Sequence, residues 1–201
     1  MKYIGPKVRL SRRVGVALTL KAAKVMAKRP NPPGQQGRMH KSREESDFKR
    51  QLLQKQLLRY QYNIHERQMK RYYQLASRGH GNPAEKLIQL LETRLDALVL
   101  RAGFAPTIYA ARQFVSHGHI TVNDKRVNIA SCHIQPGDVI AIRAKSRDLA
   151  CFADIARPMG SVPQYLETSP AQKSARLTRL PSLAETPIIC EVQRVVEFYS
   201  R

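Results

Sequence analysis

Hydrophobic residues beyond position 42 recur every three or four residues, which is the spacing of one face of an α-helix. The segment Ser42-Arg43-Glu44-Glu45 is a capping box that predicts a helix start, because the Ser42 hydroxyl can accept a hydrogen bond from the Glu45 N–H. The apolar face of this helix consists of Phe48, Leu52, Leu53, Leu57 and Tyr60. A second helix is predicted over 66–76. Its tyrosines, Tyr72 and Tyr73, could stack on bases, but their spacing fits core packing better.

Two further helices are predicted after residue 82. Asn82 and Pro83 form a helix start, because Asn caps well and Pro fits the first helical position. A leucine stripe then runs as one helix to Gly103; its members are Leu87, Leu90, Leu91, Leu95 and Leu98. Thr107 caps a shorter helix over 108–117, which Gly118 ends.

The pattern changes to period two after the last of these helices. Residues 119–122 alternate as a strand, 123–126 form a turn, and Val127 begins the return. A second turn at 135–138 leads into an apolar strand over 139–142. Residues 83–145 therefore predict two helices and a small antiparallel sheet, an α+β arrangement. Five prolines within 146–187 indicate irregular connections, and the apolar element at 192–198 is too short to assign as helix or strand.

Positive charge dominates the composition and is concentrated near the start of the chain. The 201 residues include 35 Lys and Arg against 15 Asp and Glu, a net charge of +20. The first 43 residues hold 12 basic side chains and no acidic one. The Pro/Gly-rich run at 29–37 breaks helices. We therefore predict that residues 1–40 form an extended basic arm that becomes ordered on a polyanionic partner.

Several classes of protein are excluded or disfavoured. Three widely spaced cysteines do not make a disulfide scaffold, and we expect Cys132, Cys151 and Cys190 to be buried small hydrophobic residues. The longest early apolar stretch, 14–20, has seven residues, too few for a membrane span or a secretory signal. No phosphate-binding NTPase loop and no nucleophile elbow occurs. We expect no enzymatic activity and no cofactor.

Two groups of side chains resemble a metal site and an acid–base pair, but their residue types and spacing do not support either site. His117-Gly118-His119 could chelate a metal ion, but no Cys or carboxylate pair stands at ligand spacing, so we predict RNA contact or local packing. Glu92 and Asp96 lie one helical turn apart with Arg94 between them. They fit helix surface charge and a structural ion pair better than an acid–base pair.

The segment from Leu95 to Asp138, with R-A-G-F-A-P-T-I-Y-A-A-R-Q-F and H-G-H-I-T-V-N-D-K-R-V, resembles the RNA-binding module of the small ribosomal subunit protein four family. That module also occurs in some pseudouridine synthases, tyrosyl-tRNA synthetases and a heat-shock RNA-binding protein. The resemblance extends to Y-I-G-P at 3–6, P-P-G-Q-Q-G at 32–37, E-R-Q-M-K-R-Y-Y at 66–73 and V-E-F-Y-S-R at 196–201. It therefore covers nearly the whole chain and identifies the chain as a member of the family itself.

The resemblance implies a fold and a function. The family inserts the RNA-binding module into a helical domain that the C-terminus completes. We expect the basic arm over 1–40, the helical domain over 41–91 and 184–201, and the module with an irregular connection over 92–183. The function implied is that of a structural constituent of the small subunit, which binds ribosomal RNA at a multi-helix junction and nucleates assembly. It would also line the channel where messenger RNA enters, affect translational accuracy and contact small-subunit proteins five and twelve.

Three residues depart from the family pattern. Many relatives bind zinc through four cysteines in the arm, but Val8 and Ser11 occupy the positions of the first pair, so a zinc-free form is expected. Gln36 replaces the usual His and cannot titrate. Asp124 replaces the usual Gly, tolerates a left-handed backbone less well and adds negative charge near the expected RNA face.

The resemblance and the charge pattern together predict the RNA-binding residues. Contacts should reach phosphates and 2′-hydroxyls, because the major groove of RNA is too deep and narrow to read. In the arm and the helical domain the predicted residues are Lys7, Arg9, Arg12, Arg13, Arg38, Lys41, Arg43, Lys49, Arg50, Arg67 and Arg71. In the module they are Thr107, Arg112, Gln113, His117, His119, Asn123, Lys125 and Arg126. Arg38, Lys41 and Arg43 resemble the residues that the family places beside messenger RNA.

Other functions are compatible with parts of this pattern. An RNA-modifying enzyme would need a further catalytic domain, for which little chain remains outside the module. A non-ribosomal RNA chaperone or translational regulator would use the same binding surface. A membrane-surface protein is disfavoured, because no strongly apolar helix face accompanies the basic one. A bacterial cytosol and an organelle are both compatible with the sequence.

Overall fold

The computed structural model describes residues 3, 5–35, 46–79, 81–153 and 162–201. They form helices α1 (Lys7–Val14), α2 (Leu20–Lys28), α3 (Asp47–Gln61), α4 (Glu66–Ser77), α5 (Pro83–Glu92), α6 (Leu95–Arg101), α7 (Ile108–Ser116), α8 (Ala150–Ala153) and α9 (Val192–Ser200). The strands are β1 (Ile120–Val122), β2 (Lys125–Arg126), β3 (Val139–Ile142), β4 (Leu166–Ser169) and β5 (Ser174–Leu177). The α+β fold class is therefore confirmed.

The chain divides into two compact units. Met1–Leu75 and Ile188–Arg201 form the first, here called the helical unit, and Ala76–Pro187 form the second, here called the sheet unit. Helix α5 belongs to the sheet unit, so this division begins the second unit earlier in the chain than residue 92.

Helices α3, α4 and α9 build the core of the helical unit. Leu58, Met69 and Val195 are fully buried, one from each helix. The C-terminal element, which the sequence left open, is a helix because α9 buries Val192 and Val195 at helical spacing. Helix α3 begins at Asp47 behind the N-cap Ser46, whose hydroxyl accepts from the Lys49 N–H. The predicted capping box at 42–45 lies outside the described residues.

Helices α1 (Lys7–Val14) and α2 (Leu20–Lys28) lie within the basic arm, so the prediction of an extended arm is wrong for the residues of these two helices. Helix α1 ends at Gly15, which adopts the left-handed backbone that glycine tolerates. Helix α2 starts at Thr19, whose side chain accepts from the Ala22 N–H. Leu10 and Ala22 are buried, so each of the two helices has a small apolar contact.

The predicted helix from Asn82 to Gly103 is two helices. Asn82 caps α5 as expected, accepting from the Ala84 N–H. The helix ends at Thr93, because Arg94 is extended and forms an isolated bridge with His133. Backbone hydrogen bonds from Leu95 N to Cys132 O, and from Ile134 N to Thr93 O, hold this crossing. Residues 93–95 pair with residues about 40 positions later in the chain, so the spacing of the leucines could not predict the break.

The strands of the sheet unit form one antiparallel sheet in the order β2-β1-β3-β5-β4. Its inner face packs against α6 and α7 around Leu98, Val115 and Ile140. Strands β4 and β5 were not predicted, because each has four residues, they lie in the proline-containing stretch after residue 146, and only Leu166 of β4 is buried. Asn123 and Asp124 alone form the turn between β1 and β2, each with a positive φ, so Lys125 and Arg126 belong to β2.

The three cysteines are free thiols, and the prediction that they are buried is wrong. Cys151 is exposed, and Cys132 and Cys190 are partly buried. Each lies near the end of an element or in a connecting loop, where a small side chain is not forced into the core.

Candidate nucleic-acid interface

Helix α7 carries predicted RNA-binding residues in three different situations. Thr107 is the N-cap, and its hydroxyl accepts from the Ala110 N–H. Gln113 and His117 are exposed. Arg112 is partly buried, because its guanidinium forms an ion pair with Asp96 at 3.4 Å. Of these four residues, Gln113 and His117 therefore present their side chains to solvent.

Asp96 is the centre of a buried charge cluster that holds Arg112 in place. Its carboxylate is inaccessible to solvent and also pairs with Arg94 at 2.7 Å. The structural partnership between Arg112 and Asp96 is thus present in the fold. A second buried carboxylate, Glu92, pairs with Arg101 at 2.6 Å. The prediction that Glu92 and Asp96 carry surface charge is wrong, whereas the ion-pair interpretation is confirmed.

The three predicted RNA-binding residues of the β1–β2 hairpin have different roles. The Asn123 side chain donates to the Asp138 carboxylate at 2.8 Å and accepts from the Val139 N–H at 2.9 Å. Its amide therefore fixes the turn to β3. Lys125 and Arg126 are both exposed. These two cations of β2 are available to an anionic partner.

The connection from α7 to β1 brings basic side chains together. A Cβ added to Gly118, whose φ is +74°, would lie 2.5 Å from Nη2 of Arg126, so the guanidinium covers this glycine. His119 shares a hydrogen bond between its Nδ1 and the Ser146 hydroxyl at 3.0 Å. Burial lowers the pKa of His119 below 6.5, and the positive charges of His117, Arg126 and Arg143 lower it further.

Arg143 belongs to this group and was missed in the sequence. Strand β3 pairs antiparallel with β1 so that Ile142 is opposite Ile120, and the Arg143 N–H donates to the His119 carbonyl at 2.9 Å. A predicted pairing of β1 with β3 would have identified Arg143, because residues that adjoin a paired position are also neighbours across the strands.

The predicted cations of the helical unit differ in their availability. Arg9, Arg13, Lys49, Arg67 and Arg71 are exposed. Arg50 is exposed as well and forms a long ion pair with Asp47 at 3.8 Å. Lys7 donates to the Tyr3 carbonyl and lies 5.0 Å from the centre of the Tyr3 ring. Arg38, Lys41 and Arg43 lie outside the described residues.

Arg12 has a structural role that the sequence did not reveal. Its Nε and Nη2 donate to the Asn31 carbonyl at 3.0 and 2.8 Å, which ties α1 to the segment after α2. Together with Lys28 and Arg29, neither of which was predicted, it lines a cavity of about 690 Å³. Unlike Arg9 and Arg13, Arg12 therefore combines positive charge with a fixed backbone contact.

The described residues hold neither a cluster of metal ligands nor a helix that could span a membrane. The rings of His117 and His119 are 6.0 Å apart between centroids. Within the described ranges, no group of three or more His, Cys, Asp or Glu side chains is arranged to hold a metal ion. None of the helices formed by the described residues combines the length and apolar character needed to cross a membrane.

A small α+β module with exposed cations, in a chain that also contains a basic helical unit, is typical of a protein that binds RNA. Two family models match the chain in succession. Residues 2–92 match the Ribosomal protein S4/S9 N-terminal domain, and residues 93–140 match the S4 domain. Small ribosomal subunit protein uS4 of Streptomyces avermitilis is 47% identical over 201 residues, covering 98% of this chain and 97% of that protein. The corresponding proteins of Thermobifida fusca and Akkermansia muciniphila are 44% and 45% identical, and cover this chain completely.

The chain belongs to the small ribosomal subunit protein uS4 family. It is a structural, non-enzymatic constituent of the small ribosomal subunit and binds small-subunit ribosomal RNA. The resemblance seen in the sequence is confirmed, and so is the expectation that the protein is not an enzyme. The alternative of an RNA-modifying enzyme is thereby set aside.

Proposed function

We propose that the chain is a primary binder of small-subunit ribosomal RNA, which recognises a multi-helix junction and nucleates assembly around it. The observation that carries this proposal is the set of exposed cations in the sheet unit, Lys125 and Arg126 above all. A rigid module that presents cations at fixed positions can recognise the arrangement of phosphates in one folded RNA. The exposed Arg9 and Arg13 add attraction that depends less on RNA shape.

The basic arm is the second part of the proposal. Helices α1 and α2 bury few large side chains, with Leu10 and Ala22 as the buried apolar residues of the two. We expect RNA phosphates to supply the negative charge that residues 1–43 lack and to stabilise this segment. The domain boundaries inferred from the sequence, with the arm over 1–40 and the module from 92, belong to this proposal.

The family resemblance supports further roles in translation. We propose that Arg38, Lys41 and Arg43 contact messenger RNA where it enters the subunit, and that the protein thereby affects translational accuracy. Small-subunit proteins five and twelve are the proposed neighbours. The relatives are bacterial proteins, so a bacterial-type ribosome in the cytoplasm is the proposed location.

Filter-binding titrations of the full chain against cognate junction RNA and an unrelated duplex test the proposal. Arg126→Ala should weaken cognate binding by about 1–3 kcal/mol and the unrelated duplex much less. Arg13→Ala should weaken binding of both RNAs about equally, because Arg13 contributes positive charge and does not recognise the shape of the junction. Arg179→Ala is the matched control, since its guanidinium pairs with Glu185 at 2.6 Å. Equal weakening of both RNAs by Arg126→Ala would contradict shape recognition by this module.

Arg112→Ala is a separate arm of the same experiment. Arg112 pairs with the buried Asp96, so its removal leaves the carboxylate with less compensation and costs folding stability. Circular dichroism therefore has to establish that the variant is folded. Arg112 contributes to recognition if the folded variant loses more affinity for the junction than for the duplex. It is a structural residue alone if both affinities are unchanged.

A further inference from the structure

The corner between α7 and β1 carries a concentration of positive and protonatable groups. Arg126 covers Gly118 from β2, Arg143 follows β3 directly, and His117 and His119 flank the glycine. The rings of His117 and His119 are 6.0 Å apart between centroids, and the Arg143 N–H donates to the His119 carbonyl at 2.9 Å, so these residues lie together at one corner of the sheet. We call this group the basic corner.

The two arginines of the basic corner differ from three other arginines of the sheet unit in whether a carboxylate lies close enough to form an ion pair with them. Arg94, Arg101 and Arg179 are each paired with a carboxylate within 2.7 Å. Within the described part of the chain, neither Arg126 nor Arg143 has a carboxylate within ion-pair distance. Like charges held together by a fold repel one another, so this arrangement is stabilised when an anion binds.

His119 is placed to respond to such an anion. Its Nδ1 is engaged with the Ser146 hydroxyl, and its ring meets those of Phe114 and Phe152 edge-on at 6.4 and 5.6 Å. These contacts fix the ring orientation. In the tautomer whose Nδ1–H donates to the Ser146 hydroxyl oxygen, Nε2 carries the lone pair and makes no hydrogen bond to the described residues, so this atom can take up a proton.

We propose that the basic corner is a proton-linked phosphate site, at which one phosphodiester of the ribosomal RNA binds between Arg126 and Arg143 while His119 takes up a proton from solvent at Nε2. The site rests on the RNA binding proposed above and names a particular contact within it. The proton comes from water or buffer and remains on the imidazole for as long as the phosphate is bound. The protonated ring then donates a hydrogen bond to a phosphate oxygen.

The direction of the pH dependence follows from the groups that face His119. His117 from the end of α7, Arg126 from β2 and Arg143 after β3 are all positive or protonatable, and Ser146 is neutral. Burial and these charges lower the pKa of His119 in the free protein, and a phosphate raises it by adding negative charge. Binding therefore takes up a proton, and affinity rises as pH falls from the pKa in the complex to the lower pKa in the free protein.

Titrations with cognate RNA between pH 5.5 and 8 in phosphate-free buffer test this linkage. The affinity of the wild-type chain should rise by up to about tenfold per pH unit within that window, one proton being taken up. His119→Asn, which retains a polar side chain, should flatten the profile while RNA remains bound. An unchanged profile in the folded His119→Asn variant overturns the proposal, whereas absence of selective RNA binding at every pH would instead overturn the proposed function.

A matched pair of arginine variants distinguishes the site from general positive charge. Arg176 is exposed on β5 of the same sheet and pairs with Val139, in the part of β3 away from Arg143. Arg143→Ala should reduce the pH dependence of RNA affinity. It should also weaken the binding of cognate RNA at least tenfold more than Arg176→Ala does. Equal effects of the two substitutions would overturn the assignment to the basic corner.

The imidazole signals of the wild-type chain give a readout that requires no variant. The pKa of His119, followed by NMR, should rise on addition of cognate RNA and return when high salt releases the RNA. Millimolar inorganic phosphate should raise the same pKa if the corner binds phosphate outside an RNA context. A rise with RNA alone indicates that the RNA fold delivers the phosphodiester, and an unchanged pKa with both ligands overturns the proposal.

Discussion

Asp124 occupies a left-handed backbone position, with φ +63°, in the two-residue turn between β1 and β2. Such a position costs an L-amino acid about 1–2 kcal/mol, and glycine avoids this cost. Asp124→Gly should therefore raise the free energy of unfolding by about 1 kcal/mol, as measured by urea denaturation. It should also strengthen RNA binding, because a carboxylate next to Lys125 is removed.

Asp124→Asn separates these two effects, because asparagine removes the charge and keeps a side chain of the same size. We expect the gain in RNA affinity to appear in both variants and most of the gain in stability to appear in the glycine variant. A carboxylate that contributes to binding would instead give weaker RNA affinity in both.

Ser11 is fully buried at a position where zinc-binding relatives are expected to have cysteine. Its hydroxyl donates to the Lys7 carbonyl at 3.4 Å and accepts from the Leu18 N–H at 3.3 Å, which joins α1 to the loop before α2. Ser11→Ala should lower the stability of this segment by about 1 kcal/mol. Hydrogen exchange at the Leu18 amide should accelerate. Ser116→Ala, which removes an exposed hydroxyl at the end of α7, is the control and should leave that exchange unchanged.

Ser11 is also one of the residues on which the prediction of a zinc-free form rests. Elemental analysis of the purified full chain should find no stoichiometric zinc, since a hydroxyl is a poor zinc ligand compared with a thiolate. One zinc per chain, or a Leu18 amide whose exchange is unaffected by Ser11→Ala, would contradict this account of the segment.

At the scale of elements, Glu66 connects three helices of the helical unit. Its carboxylate accepts from Lys55 of α3 at 2.9 Å and from the Tyr199 hydroxyl of α9 at 2.7 Å. Burial on its own would raise the pKa of Glu66, but the hydrogen bonds from Tyr199 and Lys55 and the nearby positive charges outweigh it and lower the pKa below 4.5. The ionised carboxylate therefore stabilises the fold above its unfolded pKa, and this contribution is lost as pH falls through the lower folded pKa.

Glu66→Gln should destabilise the helical unit by about 2 kcal/mol at neutral pH, because it leaves the buried Lys55 ammonium without its carboxylate. The decline in stability between about pH 5 and 3 should become shallower. Thermal melts over this range measure both effects. Asp47→Asn, at an exposed 3.8 Å pair, is the control and should cost less than about 1 kcal/mol. Equal losses in the two variants would contradict the role of Glu66.

The elements that could be predicted from the sequence are those with strong local signals. Asn82 and Thr107 cap α5 and α7 as expected, because a helix start depends on residues within one turn. The break at Thr93 depends on the bridge between Arg94 and His133, and β5 joins the sheet by pairing with β3; both partners are remote in sequence. Helices α1 and α2 were missed for a different reason, since the dominant basic charge obscured the cap at Thr19.

The residues of the candidate interface also divide into those that the sequence identifies and those whose role depends on the tertiary structure. Exposed cations such as Lys125 were recognisable from turn position and charge, whereas Arg112 and Asn123 are tied to Asp96 and Asp138 through the fold. Arg143 was missed because its proximity to His119 depends on the register of β1 and β3. Charge predicts that RNA is bound, and the tertiary structure decides which cations are available to bind it.

For the whole molecule, a net charge of +20 on 201 residues suits a protein that is embedded in RNA. Glu92 and Asp96 of the sheet unit are buried in ion pairs with arginines, so these two carboxylates do not screen the exposed cations. Integration into the small subunit is the central claim of this account.

Sedimentation of the full chain in a sucrose gradient tests this claim most directly. The chain, expressed with an affinity tag in a bacterial host and detected through it, should travel with the small subunit and remain there after a moderate salt wash that removes loosely bound proteins. Sedimentation at the top of the gradient, or equal distribution between the two subunits, would contradict the account.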